Sequence, residues 1–392
     1  MRILSVSAQK PFGTGSGVYL SELVRGFRAL GHEQAVVAGL APEDAPIFPR
    51  GVGFYPVLYR SPALPFPVAG MSDEMPYEST RYRDMTPEML SQFKAAFGAA
   101  LDRAVEEFRP DLILCHHLYL LTALCRARFP GVPVAGICHG TDLRQLQKHP
   151  LERAFISAQI AALDRIFVLH GEQARAVAAL TGADQARIAV IGSGFNDGIF
   201  HPSGAAPTPG RIIFAGKISV KKGVASLLRS MALVPPPAAL YLAGGAGDAA
   251  EYARIRALAE DCPRPVSFLG PLPQDELARE FCKSDVFVLP SFFEGLPLVV
   301  LEALSCGAKA VCTDLPGIRP WLDRNVPGHG VAFVPPPAMR DTDEPLAQAL
   351  PAFESALAAE LRRQIALPPR PAPAMEQATW RGVCARLLDA LA

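Results

Sequence analysis

Val286-Phe-Val-Leu-Pro-Ser-Phe-Phe-Glu-Gly-Leu-Pro-Leu-Val-Val-Leu-Glu-Ala303 is a strand that feeds directly into a helix. Val286–Leu289 is a short, unbroken apolar run, as expected of a strand covered on both faces. A Ser/Phe loop follows, and Pro297 falls where the first helical turn is expected, a position that tolerates its missing N–H. The backbone N–H groups at Leu298 and Val299 then lack intrahelical acceptors. They form an anion site suited to a diphosphate. Glu294 and Gly295 lie in the loop just before it, and Glu302 lies further into the helix. Two carboxylates so spaced reach opposite ends of one elongated ligand, or else belong to a plain capped helix with two surface glutamates.

The same strand-then-helix alternation continues in both directions. Towards the C-terminal side it gives strands near Arg211–Ala215, Ala239–Ala243, Val266–Leu269 and Ala308–Cys312, with helices between them. Before them, strands at Ile3–Ser7, Gln34–Gly39, Leu112–Cys115, Val132–Ile137, Arg165–Leu169 and Ile188–Ile191 alternate with helices near Val18–Leu30, Glu88–Phe108, Leu118–Phe129 and Gly171–Leu180. Gly31 stops the first of these helices. This order predicts an α/β protein with two doubly wound, Rossmann-like halves. Pro202-Ser-Gly-Ala-Ala-Pro-Thr-Pro-Gly210 is the expected linker. The expected boundaries are residues 1–202, 203–374, and a closing helix within 375–392 that packs back on the first half. Ligands of such sheets lie at the carboxyl ends of the strands, so the crevice between the halves is the expected site. Ala41–Pro87 is irregular and proline-rich, with an unusual segment at Met71–Arg83, either a surface insertion or a functional loop.

The chain has 392 residues, half of them hydrophobic, with 38 Lys+Arg against 38 Asp+Glu. Disorder is excluded by that apolar content. Zero net charge argues against nucleic acid or an anionic membrane as principal partner. No apolar run reaches the ~18–20 residues that span a bilayer. The apolar start, Met1–Ala8, breaks at Gln9-Lys10-Pro11 and reads as a first strand rather than a secretory leader, which points to the cytoplasm. Eight cysteines without a Cys-x-x-Cys pair suggest reduced thiols rather than a disulfide or zinc framework.

Three further elements carry chemistry. Gly216-Lys-Ile-Ser-Val-Lys-Lys-Gly223 follows a strand, and Lys217 and Lys222 there can offset phosphate charge. Gly15-Ser16-Gly17 permits close backbone approach, although it lacks the three-glycine dinucleotide fingerprint and so disfavours a NAD dehydrogenase. His139-Gly-Thr-Asp142 stands at a strand end, where His139 can hydrogen-bond a sugar or a phosphate. His116-His117 sits at another strand end but lacks convergent metal ligands, and no Asp-x-Asp metal motif accompanies the other elements. The acidic pair Asp341/Asp343 lies far from them in sequence.

Together these residues resemble the retaining GT-B glycosyltransferases of family GT4. The resemblance runs in order through the N-terminal glycines, His139–Asp142, Val190–Phe200, Lys217 and Lys222, Gly244–Asp248, Gly270-Pro-Leu-Pro273, and Glu294 to Glu302. It implies a nucleotide-diphosphate sugar donor, UDP being favoured, a small-molecule or glycan acceptor held by the first half, and no metal or other cofactor. Glu302 would hold the ribose, Glu294 the sugar, the Leu298 and Val299 N–H groups the phosphate, and Lys217 and Lys222 the departing diphosphate. Lys217 stands where the family usually has Arg, Ser193-Gly194 replaces an Asn-Gly turn, and Met71–Arg83 matches no family element. A GT-B sugar-nucleotide epimerase and a catalytically silent binding subunit are the competing readings.

Overall fold

The computed structural model describes residues 1–392 except Ile47, Asp73, Glu74, Thr342, Asp343 and Ala392. The chain divides into two units, Met1–Ser193 with Trp380–Ala392, and Gly194–Thr379. The first unit contains β1 (Arg2–Ser7), α1 (Gly15–Ala29), β2 (Glu33–Leu40), β3 (Gly53–Leu58), β4 (Ala69–Gly70), β5 (Thr80–Arg81), α2 (Pro87–Phe108), β6 (Leu112–His116), α3 (Leu120–Arg128), β7 (Val134–Ile137), α4 (Thr141–Lys148), α5 (Arg153–Ala161), β8 (Arg165–Val168), α6 (Gly171–Thr181) and β9 (Ile188–Val190). Seven of the strands form one sheet, ordered β3-β2-β1-β6-β7-β8-β9, with every pairing parallel. The strand interiors are buried on both faces, which is why they read as largely apolar runs, with Ser5 in β1 and Gln34 in β2 as buried polar exceptions.

The second unit contains β10 (Thr208–Ala215), α7 (Val224–Met231), β11 (Ala239–Ala243), α8 (Ala249–Glu260), β12 (Val266–Gly270), α9 (Gln274–Lys283), β13 (Ser284–Leu289), α10 (Leu298–Ser305), β14 (Lys309–Thr313), α11 (Ile318–Asn325), β15 (Ala332–Val334), β16 (Met339–Asp341), β17 (Glu344–Pro345) and α12 (Leu350–Ala366). Its parallel sheet runs β12-β11-β10-β13-β14-β15. In each unit the strand order reverses beside the first strand, between β1 and β6 and between β10 and β13. The crevice outside the carboxyl ends at such a reversal is where open α/β sheets bind ligands. A buried ion pair, Lys309 Nζ to Asp285 Oδ1 at 2.8 Å, ties the starts of β14 and β13 together. Lys309 also donates to the Gln364 and Leu367 carbonyls at the end of α12.

Several boundaries differ from the sequence reading. The units part at Ser193–Gly194 rather than within Pro202–Gly210. Phe200 is fully buried with its ring 6.2 Å from Phe281, and the His201 carbonyl accepts from Cys282 Sγ, so this stretch packs with the second unit. Thr208–Gly210 already belongs to β10, where Gly210 N donates to Asp285 Oδ2. The last helix, α13 (Trp380–Leu391), returns to the first unit. There Trp380 meets Tyr19 edge-on at 4.8 Å, and Arg386 and Arg165 bond the Ile191 and Ala390 carbonyls. Helix α1 begins at Gly15, not Val18, because Thr14 caps it by accepting from Gly17 N at 3.0 Å. The irregular Ala41–Pro87 stretch contains β3, an edge strand. All eight cysteines are free thiols, six of them buried.

Candidate active site

At the reversal in the second unit, two loops leave the carboxyl ends of β10 and β13 side by side. The β10 loop turns at Gly216 and runs through Lys217 and Lys222 to Gly223, which opens α7 in the left-handed conformation at φ 71°. A Cβ on Gly223 would overlap the Pro290 carbonyl, so glycine here lets the β10 loop lie against the end of β13. Phe292 N donates to the Lys221 carbonyl at 3.0 Å and fixes the two loops together. Lys222 Nζ consequently reaches Glu294 Oε1 at 2.6 Å, across 72 residues of sequence. The Glu294 side chain is mostly buried and the Lys222 side chain is 30% exposed, so the pair is in reach of solvent and ligand.

Lys217 stands on a glycine floor. The loop after β11, Gly244–Gly247, lies against the β10 loop through Gly216 N to Ala243 O and Ile218 N to Gly245 O, each 2.9 Å. A Cβ on Gly247 would overlap the Lys217 side chain, and one on Gly244 would overlap the Gly216 carbonyl. Below them α10 starts at Leu298. Pro297 is its N-cap residue, with ψ 115°, and not part of the first helical turn. No side chain caps this helix. Val300 N turns back to the Pro297 carbonyl, whereas the N–H groups of Leu298 and Val299 stand at the helix start, where intrahelical acceptors do not exist. Glu302 is buried on α10, and the fully buried Ser291 hydroxyl at the end of β13 has no partner among the described residues.

The first unit has its own cluster at the ends of β6 and β7. His139 follows β7; its imidazole is packed among His116, with Nδ1 to Nε2 at 3.2 Å, His117 at 4.7 Å and Tyr19 at 5.2 Å between ring centres. Burial among these rings lowers the affinity of all three histidines for protons, and takes His116 to about 3. Asp142, fully buried, holds the loops. Its carboxylate accepts from the Leu118, His139 and Leu143 N–H groups and from Cys138 Sγ.

Residues 209–351 match the family described as "Glycosyl transferases group 1", and residues 14–194 match a "Glycosyl transferase 4-like domain". The chain belongs to the group 1 glycosyltransferases. Among its relatives, the D-inositol 3-phosphate glycosyltransferases of Mycobacterium tuberculosis H37Rv and of Mycobacterium bovis are 32% identical over 168 residues, 40% of this chain and 35% of theirs. The chain therefore matches about a third of the length of these curated relatives. Its fold is that of the GT-B glycosyltransferases. Sucrose-phosphate synthase from Thermosynechococcus elongatus aligns at TM-score 0.68 and 18% identity over 99% of this chain and 97% of its own. Anabaena HepE in complex with UDP and glucose aligns at 0.65 and 14% over 100% and 99%.

In this chain, the residues singled out from sequence fall into two groups. Lys217, Lys222, Glu294, Gly295, Leu298, Val299 and Glu302 all lie in the second unit around the carboxyl ends of β10 and β13. Gly15, Ser16, Gly17 and His139 lie in the first. A Cβ on Gly17 would stand 2.6 Å from Phe12 N and 2.8 Å from the Lys10 carbonyl, so that glycine serves the packing of its own loop; Gly15 faces open space. Asp341 ends β16, while its partner Asp343 lies outside the described residues, as do Asp73 and Glu74 of the Met71–Arg83 segment. Among the described residues, no group of three His, Cys, Asp or Glu side chains is arranged to hold a metal ion. No described helix is long and apolar enough to cross a membrane. Tyr19 and Ser291 were not singled out from sequence, and Asp142 and Gly247, although inside the quoted segments His139–Asp142 and Gly244–Asp248, were given no part of their own. The signal available for Asp142 was its place three residues after His139 at a helix start.

Proposed function

We propose that this glycosyltransferase is a metal-independent, retaining enzyme that takes its sugar from a nucleotide diphosphate, with UDP as the favoured carrier. The observation that carries the reading is the Lys222–Glu294 contact beside the uncapped start of α10. A sugar leaving a diphosphate builds negative charge on phosphate and positive charge on the anomeric carbon. Lys222 and Lys217, with the Leu298 and Val299 N–H groups, supply fixed positive poles for the first. Glu294, next to Lys222, supplies a carboxylate for the second. On donor binding, the β-phosphate competes with Glu294 for Lys222, and the freed carboxylate turns to the sugar. Glu302, one helical turn beyond the anion site, reaches the ribose hydroxyls. The structural relative that holds UDP and glucose supports the choice of carrier. The mycobacterial relatives, named for inositol 3-phosphate, make a phosphorylated polyol the first acceptor to assay.

Calorimetry on Lys222→Ala tests this. UDP affinity should fall at least about tenfold, the equivalent of ~1.4 kcal/mol, while uridine affinity should hardly change. Equal losses for both ligands would remove the diphosphate from this site. EDTA should leave turnover intact, and loss of activity restored by Mg²⁺ would refute the metal-free reading. Proton NMR of the product gives the stereochemistry; an inverted anomeric centre would end the retaining assignment.

A further inference from the structure

His116 and His139 are brought together by the sheet. β6 and β7 are parallel neighbours with His116 opposite Ile137, and His139 lies just past the end of β7. The two rings are nearly coplanar, 14° apart, with Nδ1 of His116 at 3.2 Å from Nε2 of His139. We propose that His116 is a positioning residue for His139, donating Nδ1–H to Nε2 and so fixing the tautomer in which His139 carries its proton on Nδ1. The inference rests on the reading that His139 acts on a substrate of the proposed transfer.

One proton lies between the two nitrogens, and the direction of donation follows from the far side of His116. Its Nε2 is buried and has no partner among the described residues. If His139 donated, neutral His116 would carry its own proton on Nε2, as a buried N–H without an acceptor. If His116 donates, Nε2 is a bare lone pair. Orphaned buried N–H groups are the rarer of the two in folded proteins. Burial depresses proton binding by both rings, so neither becomes an imidazolium that would blur the choice. The remaining contacts hold the arrangement. His117 and Tyr19 pack against the His139 ring, the Tyr19 hydroxyl is fixed on the Gly192 carbonyl at 2.8 Å, and Asp142 grips the His139 backbone N–H. His139 then offers a substrate an N–H donor at Nδ1. That group can hold a phosphate or hydroxyl oxygen, and it cannot act as the base that removes the acceptor proton.

The test is nitrogen NMR of histidine-labelled protein, with signals assigned through His139→Gln and His116→Asn, beside UDP release from UDP-glucose. In the parent, Nδ1 of His139 should carry the proton and Nε2 should be bare; the opposite pattern overturns the inference directly. His116→Asn keeps a donor in place of Nδ1, and should keep both the tautomer and the turnover within about threefold. His116→Asp can only accept. It should move the His139 proton to Nε2 and lower kcat at least about tenfold with UDP affinity unchanged, since a wrong tautomer disables catalysis while leaving geometry intact. If His139→Gln is impaired while His116→Asp is not, the positioning role is wrong. If His139→Gln turns over like the parent, the reading of His139 itself fails, whatever His116 does.

Discussion

At the scale of single residues, Glu294 and Glu302 have different surroundings and should fail differently. Glu294 touches Lys222 in the loop ahead of α10, whereas Glu302 is buried along the helix. Glu302→Ala should cost mainly donor affinity, since each hydrogen bond to a charged group is worth ~1.5–3 kcal/mol. Glu294→Gln should lower kcat with little change in nucleotide affinity, because only interactions strengthened in the transition state alter the chemical step. Steady-state kinetics beside nucleotide titration separates the two, and the same defect in both variants would refute the division. The histidines make a second prediction. Burial lowers His116 to about 3 and His170 to about 4. Above about pH 6.5 these rings are neutral in both the folded and the unfolded chain, and their contribution to stability is complete. As pH falls below that, the unfolded chain takes up protons that the folded chain refuses. Stability should drop by up to about 1.4 kcal/mol per pH unit for each ring until the folded values are reached. The chain has two tryptophans, Trp321 in the second unit and Trp380 in the first, so Trp321→Phe leaves a fluorescence probe of the first unit. Its urea midpoint should fall between pH 7 and pH 5, and a flat profile would contradict the burial argument.

At the scale of elements, the Asp285–Lys309 pair pins β13, which leads to Glu294, against β14 and the end of α12. Both side chains are nearly inaccessible. Removing one partner strands a buried charge, so Asp285→Ala should cost about 3–5 kcal/mol in urea denaturation of the second unit. A loss under ~1 kcal/mol would mean that the Gln364 and Leu367 carbonyls satisfy Lys309 by themselves. The central strands were legible in the sequence for a related reason: a strand with neighbours on both sides and helices over both faces needs a continuous apolar stretch, as in Leu112–Cys115 of β6, Ile212–Ala215 of β10 and Val286–Leu289 of β13. β3 was not legible because Pro56 argues against a central strand, yet an edge position tolerates it. β15, three residues between Gly330 and Pro335, is too short to show a period. In the site, the helix start at Leu298 was readable from its local pattern. The contact of Lys222 with Glu294, and of His116 with His139, depends on which strands are neighbours, which no local spacing encodes.

At the scale of the whole molecule, the first unit is completed by the far end of the chain. Gly26 gives α13 its close seat on α1, since a Cβ there would stand 2.6 Å from Cys384 Sγ. Trp380, 6% exposed, covers Tyr19, whose hydroxyl holds the Gly192 carbonyl. Trp380→Ala should therefore destabilise the first unit by about 3–5 kcal/mol and leave the second unaffected, read as faster hydrogen exchange in α1 and β9 but not in β10 or β13. Equal exchange in both units would show that α13 contributes little. The return of α13 also fixes an order of events during synthesis. The first unit leaves the ribosome without its last helix and waits while Gly194–Thr379 is translated, roughly 10–40 s at ~5–20 residues per second. Through that interval the seat of α13, with Tyr19 and Gly26, is bare on the nascent chain. The N-terminal part of the sequence, although made first, can finish folding only after the second unit has been made.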